Sequence, residues 1–179
     1  MRRFALMIAA TSVLIACGSS RPSQASNSAA NGAANVAASA AVAAAPVSGA
    51  KAAAIMHERH EGMEAIGKAN KQLRRELGAS APDLAAVRAA AAKIAGLAAK
   101  SGGWFPAGTG PEVGKTGAKP EIWQDPKDFA AKLATFQRGS QAFDAAARSG
   151  NLDAIHARFT DLGGTCKSCH DKYRSEMHH

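Results

Sequence analysis

Large side chains are scarce in this sequence. Six Phe, two Trp and one Tyr make up its aromatics, 5% of 179 residues. A chain so short of rings must fill its core with small side chains or with something that is not protein, and alanine is abundant throughout. Strand signals are missing as well: no segment alternates apolar and polar residues over the length of a half-buried strand. Sandwiches, barrels and βαβ units are thereby excluded. The apolar run Phe4–Ala16 is too short to cross a bilayer as a helix. Acidic residues are outnumbered, 14 Asp and Glu against 22 Lys and Arg, for a formal net charge of +8. The basic residues form no stripe interleaved with aromatics, so no nucleic-acid partner is implied. A mildly basic surface suits an acidic protein partner instead. Only three cysteines occur, Cys17, Cys166 and Cys169, and the assignments below leave none for a structural disulfide.

Two of them lie in Cys166-Lys167-Ser168-Cys169-His170, a C-x-x-C-H motif of the kind that attaches a c-type haem. Thiols at i and i+3 share a helix face, where they can form thioethers to both vinyl groups of one porphyrin. His170 follows Cys169 directly, within reach of the iron beneath the ring. A cytosolic redox C-x-x-C would need a βαβ context, which is absent. The competing reading is a zinc site made from Cys166, Cys169 and another histidine. Candidates for the latter are His57, His60, His156 and the terminal His178-His179, all placed by spacing on helix surfaces or in the tail.

The N-terminus reads as an export signal. Met1-Arg2-Arg3 is a positive n-region, and the apolar run after it ends in Leu14-Ile15-Ala16-Cys17, a lipobox-like sequence. Residues 1–16 are thus expected to be a lipoprotein-type signal peptide, with Cys17 the lipidated first residue of the mature chain. Gly18 in place of Asp points to outer-membrane rather than inner-membrane sorting. An ordinary secretory peptide cleaved at a later Ala-x-Ala site is the alternative. Residues 17–50, almost wholly Ala, Ser, Asn and Gly, read as a flexible tether with a reach of about 30 Å. Export and a haem-attachment motif agree, because c-type haem is attached outside the cytoplasm. The protein is expected in the periplasm, held to a membrane by lipid alone.

Residues 51–179 carry helical periodicity. Met56, Arg59, Met63, Ile66, Asn70, Leu73 and Leu77 form the seam of a first helix, closed by Gly78. Its two polar members, Arg59 and Asn70, argue that the inner face is not all hydrocarbon. Ser80-Ala81-Pro82-Asp83 reads as a cap with Pro in the first turn of a second helix, which ends before Gly102-Gly103. A long Gly- and Pro-rich connection follows over 102–124, with Trp104, Phe105 and Trp123 as anchors. Its Gly114-Lys115-Thr116 is not a phosphate loop, since Thr109 stands where the motif needs Gly. Asp125-Pro126 opens a third helix with Phe129, Leu133, Phe136, Ser140 and Phe143 inward, stopped by Gly150. Asn151 caps a fourth, whose inner stripe runs Leu152, Ile155, Phe159, Leu162, Cys166, Cys169 and Tyr173. Four amphipathic helices without strands predict an all-α, antiparallel four-helix bundle, with a cofactor between facing helices. A buried porphyrin would fill the room that the small side chains leave.

The chain from about 51 to 175 resembles the class II cytochromes c, the cytochrome c′ and cytochrome c556 group. Three stretches carry the resemblance: Cys166-Lys167-Ser168-Cys169-His170-Asp171-Lys172-Tyr173-Arg174 at the C-terminal end, Pro120-Glu121-Ile122-Trp123, and Arg59 with Met63 four residues later. It implies one covalently attached haem c, held through Cys166 and Cys169, with His170 the proximal iron ligand and the first helix over the opposite face. It further implies that Met63 points at the sixth iron position, that Arg59 lies near the haem, that Arg174 lies near the proximal face, and that Trp104 lies near the propionate edge. In c′-type members the Met63 position often holds Leu or Phe, leaving the iron five-coordinate and open to NO or CO. In c556-type members a methionine there completes a low-spin electron carrier. Met63 is expected to be the ligand here, with Met56 a more distant candidate. The resemblance implies a one-electron carrier rather than an enzyme, with redox proteins as partners, and a homodimer as is common in the family.

Overall fold

The computed structural model describes residues 46–176. The expected leader (1–16), Cys17, the tether up to 45, and His178-His179 lie outside the described residues. Five helices follow in order: α1 (Gly49–Leu77), α2 (Leu84–Lys100), α3 (Glu121–Gln124), α4 (Pro126–Ser149) and α5 (Leu152–Tyr173). The four long ones are the four helices the periodicity predicts; α3 is a single turn inside the long connection. Among the described residues the only extended pairing is one isolated bridge, Ala118 to Arg174.

Local signals set the helix ends. Asp125 caps α4 by accepting from the Asp128 N–H at 3.3 Å, with Pro126 as its first residue. Asn151 caps α5 through the Ala154 N–H at 2.9 Å. Between them Gly150 turns the chain at φ 74°, a left-handed conformation that costs glycine little. The cap of α2 differs from expectation. Asp83 performs it, its Oδ1 accepting from Ala85 and Ala86 N–H at 2.8 and 3.2 Å, so Pro82 lies one residue outside the helix. An aspartate directly before the apolar stripe reaches both amides; Ser80 sits too early to do so. α1 starts at Gly49, and just before it the Val47 N–H donates to Ala107 O at 2.9 Å.

Packing runs α1 on α2, α2 on α4 and α4 on α5, whereas the backbones of α1 and α5 stay apart. Alanines at 90, 91 and 98 are buried on α2, which lets this central helix sit close to both neighbours. The main apolar cluster joins Ile66 and Leu73 of α1, Val87 and Ile94 of α2, Phe143 of α4 and Ile155 of α5. A smaller cluster, Ile122, Phe129 and Tyr173, closes the end where α5 terminates. Leu152, expected on the inner stripe, is 40% exposed: it is the first residue of α5, beyond the reach of the facing helix.

Candidate haem site

The motif lies in the last two turns of α5. Cys166 and Cys169 are both free and half-buried, while Lys167 and Ser168 between them face solvent. Lys167 pairs with Asp171 at 2.6 Å, and Ser168 Oγ accepts from Lys132 Nζ of α4 at 2.8 Å. The helix is thus rolled so that the two thiols face inward. Cys166 packs against the main apolar cluster and Cys169 against the smaller one, so the pair straddles their junction. Burial pushes both thiols above the ordinary cysteine range, and Lys132 partly offsets this at Cys169. His170 is exposed at the residue level. Even so, desolvation of its ring, followed by the charge of Arg174, holds its pKa below the ordinary histidine value. Both influences favour the neutral imidazole, the form that can ligate iron.

The candidate sixth ligands lie on α1. Met63 is half-buried and packs against the same apolar cluster as Cys166. Met56 is turned elsewhere: its Cε lies 3.1 Å from where a side chain on Gly114 would begin, under the long connection. His57, His60 and His156 are exposed.

Arg59 is 5% exposed, and its guanidinium is taken up by the connection between α2 and α4. It donates to Trp104 O at 3.0 Å, to Thr109 O at 2.8 Å, and to the hydroxyls of Thr109 and Thr116 at 3.2 and 3.0 Å. Phe105 and Trp123 lie over it, 5.1 and 5.9 Å from ring centre to Cζ. Desolvation lowers its pKa, and Glu112 opposes the shift. Trp104 is 2% exposed and rests on α1, its Nε1 donating to Glu58 Oε1 at 3.2 Å. At its other end the connection binds the chain just past His170. Lys119 N–H donates to Tyr173 O at 3.0 Å, and Ser175 N–H to Gly117 O at 2.9 Å. Arg174, exposed, forms the bridge with Ala118. The connection is therefore a strap from α1 to the end of α5, two helices whose backbones approach each other less closely than the other neighbouring pairs do. Spacing marked the strap as packed but gave no sign of Thr109, Thr116 or Gly62 as its contacts. The available signal was glycine inside the first helix, at 62 and 67, and only the structure tells the packed one from the open one.

Two unpaired thiols one turn apart against apolar clusters, with the His170 imidazole next in sequence, fit a covalently attached porphyrin. Cys166 and Cys169 would hold the ring and His170 the iron, which supplies one-electron exchange between ferrous and ferric states. Among the described residues no group of three or more His, Cys, Asp or Glu is placed to hold a metal ion, and His178-His179 lie outside them.

Comparison with known proteins agrees with this chemistry. The family model described as Cytochrome C′ matches residues 54–174. Cytochrome c′ of Alcaligenes xylosoxydans xylosoxydans is 44% identical over 73 residues, 41% of this chain and 56% of the relative. The chain spans about half the length of this and the next curated relatives it matches. Solved structures align further. Cytochrome c′ from Thermochromatium tepidum has a TM-score of 0.66 at 29% identity, covering 74% of this chain and 100% of that one. A nitric oxide complex of a cytochrome c prime variant from Alcaligenes xylosoxidans has a TM-score of 0.63 at 30% identity, covering 73% and 100%. A haem-attachment motif at the end of the last helix of a four-helix bundle, and a family match across nearly all of that bundle, make this chain a member of the cytochrome c′ family of class II c-type cytochromes, which carry one covalently attached haem c.

Proposed function

We propose that this cytochrome is a monohaem one-electron carrier in the periplasm, with His170 as proximal iron ligand and Met63 as the sixth. The observation that carries the reading is the placement of Met63: it projects from α1 onto the same apolar cluster that holds Cys166. A thioether ligand suits electron transfer because filled, rigid coordination needs little reorganisation, and His/Met ligation raises the potential. The protein then has no substrate and is no enzyme; its partners are redox proteins with acidic surfaces, matched to a net charge that stays positive, 8 − 2 = +6, once Arg2 and Arg3 leave with the leader. The lipobox-like Leu14-Ile15-Ala16-Cys17 supports attachment by a lipid on Cys17, at the outer membrane by the sorting preference of Gly18; no described helix is long and apolar enough to cross a membrane. Association as a homodimer belongs to the same reading, and sedimentation of the holoprotein checks it.

A second reading has its own support. One structurally similar relative is a nitric oxide complex, so a five-coordinate iron that binds NO or CO is the competitor. One absorption spectrum separates the two. Low-spin bands in both oxidation states, with a sulfur–iron charge-transfer band in the ferric form, are expected, and Met63→Leu should convert them to high-spin bands. A high-spin wild-type spectrum removes Met63 as ligand and promotes gas binding. For the anchor, Cys17→Ser should move the protein from the membrane fraction to the soluble fraction; unchanged partitioning refutes the lipid assignment.

A further inference from the structure

Gly62 is the residue directly before Met63, and it is buried. A Cβ built on it would lie 2.3 Å from Cη2 and 2.5 Å from Cζ2 of the Trp104 indole, far inside contact distance. The six-membered edge of the indole therefore rests on the backbone of α1 itself. Trp104 grips that helix at two further points: its Nε1 donates to Glu58 at 3.2 Å, and its carbonyl accepts from Arg59 at 3.0 Å. Glu58 and Arg59 lie one turn before Gly62, at i−4 and i−3, and Met63 follows Gly62 directly, at i+4 from Arg59. Gly67, on the same helix one turn further on, has nothing within 4 Å of its would-be Cβ. Glycine is costly in a helix interior, so its presence at 62 matches a need for close approach there.

From this contact we infer that Trp104, seated on Gly62, is the positioning residue that fixes the Met63 turn of α1 relative to the haem face of the site. The inference deepens the proposed function and rests on it in one respect only, that Met63 borders the iron's open side. Any side chain at 62 must displace either the indole or the helix, because a fully buried indole inside the main cluster has no free volume to retreat into. Arg59 and Glu58 tie the other parts of Trp104 to α1, so the displacement falls on the turn that carries Met63.

The pair Gly62→Ala and Gly67→Ala tests this in the full holoprotein. Both gain the same helix propensity, but only the first meets the indole. Two readouts are followed: the ferrous and ferric absorption spectra, and the affinity of the ferrous protein for CO. Gly62→Ala should change the spin state or shift CO affinity about tenfold or more, the scale of coupling between touching residues; Gly67→Ala should change neither. Gly62→Ala with Trp104→Phe should return both toward wild type, because the smaller ring vacates the space the methyl needs. Wild-type spectra and wild-type CO affinity in Gly62→Ala overturn the inference, even if the protein melts earlier. So does a change that Trp104→Phe fails to relieve. If Gly62→Ala does not accumulate, Trp104→Phe alone is read by the same two measurements and the same criteria. An unchanged spectrum in Met63→Leu refutes only the ligand assignment, because CO affinity still reports the position of that turn.

Discussion

Replacing Arg59 by leucine should loosen the strap without dissolving the bundle. The guanidinium is the shared donor for four acceptors, of which the Thr109 and Thr116 hydroxyls keep other partners in Pro106 O and the Ala118 N–H. The carbonyls of Trp104 and Thr109 lose the donor that Arg59 gives them. Two buried carbonyls left unmatched cost about 1–3 kcal/mol each. The contacts with Phe105 and Trp123 add to the loss, and relief from burying a charge subtracts from it. The net expectation is a loss of about 3 kcal/mol, or roughly 10 °C in Tm for a domain of this size. Urea unfolding of the holoprotein measures the total. Amide exchange localises it, and protection should fall over residues 104–119 while the α2–α4 core keeps its own. Arg59→Lys should recover only part, since one ammonium cannot reach four acceptors in a fork. A loss below about 1 kcal/mol with unchanged protection of the strap would refute the reasoning.

Two further substitutions probe the rest of the frame. Phe143 is fully buried, with its ring 5.5 Å from that of Phe159. Phe143→Ala should cost about 3–5 kcal/mol in denaturant unfolding, and a cost near 1 kcal/mol would mean that the alanine-rich core collapses around the cavity. Hydrogen bonds from Tyr173, at 2.6 Å, and from Lys172, at 3.0 Å, hold the Asp128 carboxyl below the usual carboxylate range. A lowered pKa in the folded state means that this contribution is fully present above about pH 4 and is lost as pH falls through the folded value. Asp128→Asn should therefore flatten the acid limb of the stability–pH curve; an unchanged limb rules the carboxylate out as its source.

Helix ends were legible because the groups that decide them sit within a few residues of one another. Asp125 with Pro126, Gly150, and Asn151 each act on backbone they adjoin. Asp83 took the role expected of the Ser80 segment for the same reason at finer resolution: two amides lay in reach of one carboxylate and not of the other side chain. The haem motif was legible because its chemistry is a spacing along one helix. The polar members of the α1 seam hinted that something other than hydrocarbon met that face, but their partner could not be read. Arg59 finds its acceptors 45 to 57 residues away, in a segment with no periodicity to place it. Gly62 and Trp104 are likewise 42 positions apart in sequence, yet a Cβ on the glycine would lie only 2.3 Å from the indole.

The strap has a kinetic consequence. Its bonds to α1 join residues 45 to 57 apart, and its bond from Ser175 Oγ to Gly117 O spans 58. Closing loops of that length costs entropy before any contact repays it, whereas the helices themselves form locally. The strap should therefore order after the bundle, and by the same free energies it should release before the bundle melts. Since it ties α1 to the end of α5, one local opening would uncover the α1 and α5 surfaces beneath it together. How often the interior meets solvent is then set by Arg59 and a few backbone amides, on a clock separate from that of global unfolding.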